Sequence, residues 1–200
     1  MAASTAALLA ACATAPPDTG SLALTASGRL AVRVDATPER PAQSLTAAFE
    51  WRGSGERGEL TLLSPLGSRI AQARWTPQGA WLVTPDAQAQ FDSLEALAER
   101  AFGERIPLVA WPDWLAGRPW PGAASAPLAA AASGGTAAGF EQLGWRVDLA
   151  RFADGRIEAL RSAPPTVAVR IVLDKGDEAP ARPAVGAAAG AASAAGASKP

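Results

Sequence analysis

Residues 59–75 read ELTLLSPLGSRIAQARW, and the rest of the chain is best understood outward from them. Leu60 and Leu62 alternate with Glu59 and Thr61, the two-residue period of a half-buried strand. Ser64-Pro65-Leu66-Gly67-Ser68 then interrupts the run with turn-forming residues, and Ile70–Trp75 resumes an extended pattern. The stretch is therefore strand, short loop, strand. Leu66 is its odd residue, an apolar side chain between proline and glycine at a loop tip. Two readings are open. It folds back and caps the sheet, or counts among the scattered surface apolars that need no explanation; or it is displayed to touch something apolar, such as a membrane or an acyl chain.

The segments before this stretch repeat the strand pattern. In Gly28–Val34, Leu30, Val32 and Val34 share one face, and Arg29 and Arg33 the other. In Ser44–Trp51, Leu45, Ala47, Phe49 and Trp51 face inward. The string Gly53-Ser54-Gly55-Glu56-Arg57-Gly58 that follows matches G-x-G-x-x-G. A dinucleotide site needs a helix directly after those glycines and an acidic residue about 20 positions on. Strand periodicity follows instead and the acidic residue is missing, so a hairpin turn is expected.

Downstream, Thr76–Gly79 marks a turn and Ala80–Thr84 a fifth strand. A helix is expected from Asp92, with Asp92 and Glu95 at capping-box spacing. Its apolar face is Leu94, Leu97, Ala98, Ala101 and Phe102, and Gly103 stops it. A second helix is expected over Pro107–Ala116, with Trp111 and Trp114 on one face beside Leu108 and Leu115, and with a kink or break at Pro112. Residues 121–139 are rich in Ala, Gly and Ser and read as an insertion without assigned structure. Strands resume at Gly144–Leu149, Arg156–Arg161 and Thr166–Asp174. Five strands, then helices, then three strands, with no alternating crossover helices, predict an antiparallel sheet. The expected class is α+β, mainly β: one strongly curved sheet around two or more helices, incompletely closed and enclosing an apolar cavity.

Composition narrows the function. Eighteen basic and nineteen acidic residues leave a net charge of −1, which supplies no overall electrostatic reason to bind nucleic acid. The chain has no histidine and one cysteine, Cys12, so the commonest general base is absent and no internal disulfide can form. Without a phosphate loop either, few catalytic parts remain; a non-enzyme without cofactor or metal is expected. Asp86 and Asp92, the acid pair a hydrolase would need, read better as turn and cap. Seven tryptophans and no tyrosine suit apolar pockets and membrane interfaces.

Ala6–Ala11 is a short apolar run ending Leu9-Ala10-Ala11 before Cys12. This pattern resembles a bacterial lipobox, with residues 1–11 as a signal peptide and Cys12 as the lipidated residue. A start codon assigned too far downstream would explain the short run and the lack of a preceding Lys or Arg. The other reading is an alanine-rich terminus with an incidental thiol. Residues 12–27 then make a lipidated cysteine and flexible tether, 28–175 the folded domain, and 176–200 a disordered Ala/Gly/Pro tail.

Phe49-Glu50-Trp51, the leucine-rich strand running into Ser64–Ser68, Ile106-Pro107-Leu108 with Trp114–Gly117, and Gly144-Trp145-Arg146-Val147 together resemble the LolB family of bacterial outer-membrane lipoproteins. The resemblance spans residues 28–174. It implies an antiparallel half-barrel with helices lidding a hydrophobic cavity. It also implies a receptor that takes acylated lipoproteins from a periplasmic carrier and inserts them into the outer membrane. Ala13, where an aspartate would retain a lipoprotein at the inner membrane, implies the outer one. The matching membrane-insertion loop is Pro65, Leu66 and Gly67, touching the inner leaflet, and the resemblance favours the displayed reading of Leu66. Candidates for the acyl cavity are Leu45, Phe49, Trp51, Leu60, Leu62, Leu108, Trp114, Leu115, Trp145 and Val147, for each of which closed-core packing is an equal alternative. A monomer is expected. The rival function is a lipid-anchored periplasmic lipid-binding or scaffold module that transfers nothing.

Overall fold

The computed structural model describes residues 23–128 and 138–175. Six strands come first: β1 Leu24–Val34, β2 Gln43–Gly53, β3 Gly58–Leu63, β4 Arg69–Thr76, β5 Gly79–Val83 and β6 Gln88–Phe91. Helix α1, Leu94–Phe102, a 3-10 turn at Leu108–Ala110 and helix α2, Trp111–Leu115, follow. Five more strands follow: β7 Ser125–Pro127, β8 Gly139–Gln142, β9 Trp145–Asp148, β10 Arg156–Arg161 and β11 Val167–Leu173. All eleven form one antiparallel sheet in the order β6-β5-β4-β3-β2-β1-β11-β10-β9-β8-β7. The sheet is curved and unclosed, because β6 and β7 are its two edges. It is two meanders joined where the first strand pairs with the last, Val34 opposite Val167 through Gly28 opposite Leu173.

The alternation read from the sequence divides the sheet's faces. Leu30, Val32, Phe49, Trp51, Leu60, Trp75, Val147, Ile157 and Val169 are buried on the inner face. The outer face carries arginines, among them Arg74, which bonds Glu59 at 2.8 Å. Partial burial alone would raise the Glu59 pKa, but hydrogen bonds from Arg74, Gln72 and Thr61 outweigh it and hold the carboxyl below its ordinary value.

The glycine string is a hairpin, as expected, between β2 and β3. Two buried indoles hold it: Trp51 Nε1 donates to the Gly53 carbonyl at 3.1 Å and Trp75 Nε1 to the Ser54 carbonyl at 3.0 Å. Gly55 lies so close to the 3-10 turn that a Cβ would collide with the Val109 carbonyl oxygen. The glycine serves close backbone packing.

Several expectations need correction. Among the described residues the strands number eleven, not eight. β6, β7 and β8 escaped because their patterns are not apolar alternation. Gln88, Ala89 and Gln90 of edge strand β6 are exposed, β7 is exposed throughout, and β8 buries Gln142. Residues 121–139 are therefore not wholly an unstructured insertion, since Ser125–Pro127 pair with Phe140–Gln142. β1 begins four residues inside the stretch read as tether. The α1 cap is Ser93, not Asp92: its Oγ accepts from the Ala96 amide at 3.1 Å, while Gly103 closes the helix in the left-handed conformation as expected. Pro112 sits in the first turn of the short α2, where it costs no hydrogen bond. Trp111 and Trp114 diverge. Trp111 lies 6.3 Å from Trp51, and Trp114 lies 6.3 Å from both Phe140 and Trp145. The readings of residues 1–22, 129–137 and 176–200, including signal peptide, Cys12 and tail, lie outside the described residues.

Gln142 was missed as a core residue, and its bonds explain why a polar side chain is buried there. Its Oε1 accepts from the Trp114 indole and the Trp120 amide, each at 2.9 Å. Its Nε2 donates to the Trp120 and Ala123 carbonyls at 2.7 and 2.8 Å. Gln142→Ala should lose about 2 kcal/mol, because each buried group left unpaired costs about 1–3 kcal/mol and the vacated space lets some relax. Urea denaturation of parent and variant checks this.

Candidate functional site

The site is built from β2–β5 and α1. An apolar pocket of about 280 Å³ lies between them. Leu45, Leu60 and Leu62 form its sheet wall with Ile70, Ala71, Ala73 and Leu82, and Leu97, Ala101, Phe102 and Leu108 face them. A second hollow of about 160 Å³ adjoins it and shares Leu45, Ala101 and Phe102. No charged side chain lines either, so the chemistry on offer is burial of hydrocarbon.

A bulge shapes the pocket. Leu62 is opposite Ala71 and Leu63 is opposite Arg69, which leaves Ile70 as an extra residue in β4. Bulges re-aim side chains; here consecutive residues, Ile70 and Ala71, both line the pocket.

Of the ten candidate cavity residues, the structure brings four to this pocket: Leu45, Leu60, Leu62 and Leu108. Phe49, Trp51, Trp114, Leu115, Trp145 and Val147 do not line it; all are core residues at 4% exposure or less. The aromatic pairings account for this. Trp51 packs on Trp75 at 4.7 Å, and Trp114 on Trp145, filling the space beneath α2. Sequence reasoning missed Ile70, Ala71, Ala73 and Leu82, because small residues and a bulge do not announce a cavity. The apolar face of α1 was legible but carried no sign of what it faced.

The loop after β3 is tightly bonded. The Ser64 amide donates to the Ser68 carbonyl at 2.8 Å, the Gly67 amide to the Ser64 carbonyl at 2.9 Å, and the Ser68 amide to Ser64 Oγ at 3.2 Å. Gly67 has φ 81°, a conformation that suits glycine. Leu66, on the tip, is 94% exposed. It does not fold back onto the sheet.

The loop after α1 is tied by charge to the β1–β2 loop and to β10. Glu104 pairs with Arg40 at 2.7 Å and with Arg161 at 2.6 Å, and Arg40 also donates to the Gly103 carbonyl at 2.8 Å. These bonds fix the C-terminal end of α1 over the hydrocarbon surface.

The family model for the outer membrane lipoprotein LolB matches residues 23–177 of this sequence. The chain belongs to the LolB family. It is 36% identical to the outer-membrane lipoprotein LolB of Bordetella petrii over 158 residues, 77% of this chain and 78% of the relative. It is 35% identical to that of an Azoarcus species over 175 residues, covering 86% and 84%. For Cupriavidus pinatubonensis LolB the identity is 32% over 191 residues, covering 86% and 91%. LolB membership makes this an outer-membrane lipoprotein with a receptor role in lipoprotein localisation.

Proposed function

We propose that the chain accepts acylated lipoproteins from a periplasmic carrier, holds acyl chain in the pocket under α1, and delivers the client to the outer membrane through the Leu66 loop. Cys12 is the lipid attachment in this reading and residues 12–23 the tether. The observation that carries it is the isolation of Leu66. A leucine held at 94% exposure on a bonded loop has no folding role, and the strands flanking it, β3 and β4, are also walls of the pocket. One hairpin thus joins an acyl-sized apolar surface to an apolar tip.

Magnitudes constrain the mechanism. A methylene needs about the room of a water, about 10–15 Å³ of such cavity volume. The 280 Å³ pocket therefore holds about twenty methylenes, about one acyl chain. A multiply acylated client needs α1 to move away from the sheet or chains to project from the mouth. With no fuel, transfer runs downhill: every methylene left in water costs about 0.8 kcal/mol, so the receptor must hold the chains better than the carrier, and the bilayer better still.

The test is a handover. The purified full chain, carrying Cys12→Ser to leave it unanchored, is mixed with a carrier loaded with a lipoprotein and pulled down. Client on the receptor supports the reading. Client that stays on the carrier, with the receptor folded by circular dichroism, sinks it in favour of a lipid-binding or scaffold module.

A further inference from the structure

We infer that Leu143, at the tip of the β8–β9 hairpin, is a second point of contact with the bilayer; this rests on the Leu66 loop being a membrane-contacting element. Gln142 and Trp145 are paired across the hairpin, so the turn is Leu143-Gly144. Both have positive φ, 54° and 76°, the two-residue turn that favours Asn-Gly, Asp-Gly or Gly-Gly. Leu143 is the one non-glycine with positive φ among the described residues. A leucine there takes a steric penalty that asparagine largely escapes. Packing accounts for it only in part, since Leu143 is 44% exposed. A residue that violates its turn's preference while leaving nearly half its surface in solvent calls for a reason outside the fold.

Its position supplies one. Following the register across the sheet, Trp145 lies at the edge where β10 ends, β11 begins and β1 ends, with Leu160 opposite Arg146, Arg161 opposite Val167, and Val167 opposite Val34. β2 begins at that same end, Gln43 opposite Val34, and β3 runs toward it into the Leu66 loop. Leu143 and Leu66 therefore tip two hairpins at one end of the sheet. The other exposed large apolars differ: Leu160 and Val172 lie within strands, and Phe152 sits in a 3-10 turn against Gly117. Each tip is followed three residues later by an exposed arginine, Arg69 and Arg146. Single leucines on separate hairpins, each with a cation behind it, suit a fluid apolar layer under anionic headgroups better than a shaped protein surface.

The test uses the full chain with Cys12→Ser and vesicles of phosphatidylethanolamine and phosphatidylglycerol. Partition is read by cosedimentation, and stability by thermal melting. Leu143→Asn should melt no lower than the parent, because asparagine suits the turn, yet partition about fivefold more weakly, from lost leucine burial. Leu143→Gly should behave alike, and serves if the asparagine variant misfolds. Leu66→Asn is the control for the underlying reading. If Leu66→Asn weakens partition and the Leu143 variants do not, the inference about Leu143 is wrong while the Leu66 loop stands. If neither weakens it, both fall.

Discussion

Leu66→Glu will fold and bind acyl chain as the parent does, and will deliver clients to the bilayer on the order of a thousandfold more slowly. Folding is spared because the Leu66 side chain is almost wholly exposed, and the bonds that hold the loop run between backbone groups and the Ser64 hydroxyl. Acyl binding is spared because Leu66 lines neither apolar hollow. Delivery suffers twice. The leucine's burial, about 2 kcal/mol, is forfeited, and a carboxylate brought into hydrocarbon adds about 2–3 kcal/mol against entry. With 1.4 kcal/mol per factor of ten, the sum of about 4–5 kcal/mol gives a factor of that order. The measurement is the rate at which a preloaded receptor passes a client to vesicles, beside an equilibrium binding assay with a fluorescent fatty acid. Equal delivery by the two proteins would remove the loop from the mechanism.

Ala71→Phe should weaken binding of that same fatty acid about a hundredfold. Ala71 is half-buried and lines the pocket opposite Leu62, next to the bulged Ile70. A ring projected from this position fills space in which about four methylenes would lie. At about 0.8 kcal/mol each, their loss is about 3 kcal/mol, a hundredfold. The domain should melt no lower, because the ring enters an existing void and not a packed core. The two variants separate the steps: one binds and fails to deliver, the other fails to bind. If Ala71→Phe bound fatty acid as tightly as the parent, with its melting unchanged, the acyl site would have to lie elsewhere.

The long inner-face strands were legible because each buries one face and exposes the other. Leu30-Ala31-Val32-Arg33-Val34 has no reading but a strand. The hairpin nature of Gly53–Gly58 was legible from its flanks, against a motif pointing elsewhere. Leu66 stood out for the same reason: an apolar residue where turn chemistry reigns. What stayed hidden depended on partners distant in sequence. Nothing near Gln142 tells that Trp114, Trp120 and Ala123 will surround it. The pocket was half legible, because a cavity is space left between elements. Whether Trp51 faces a void or Trp75 and Trp111 is settled by three segments at once. Large aromatics were natural candidates for a binding wall, yet large residues fill space, and the pocket persists where the wall is small, at Ala71, Ala73 and Ala101. Leu143 went unremarked because its significance lies in a backbone angle.

The pairing of β1 with β11 sets an order of events as well as a shape. The two meanders can each form from near neighbours in sequence, but the seam between them waits for the last strand, some 140 residues after its partner. In the proposed reading, with Cys12 as the lipid attachment, the chain is exported and crosses a membrane as an unfolded thread. Until residues 167–173 emerge, the first meander has an open flank at β1 and the barrel half it belongs to is incomplete. In that reading, the closing strand at the far end of the domain keeps the molecule unlatched during passage and ties final assembly to arrival beyond the membrane.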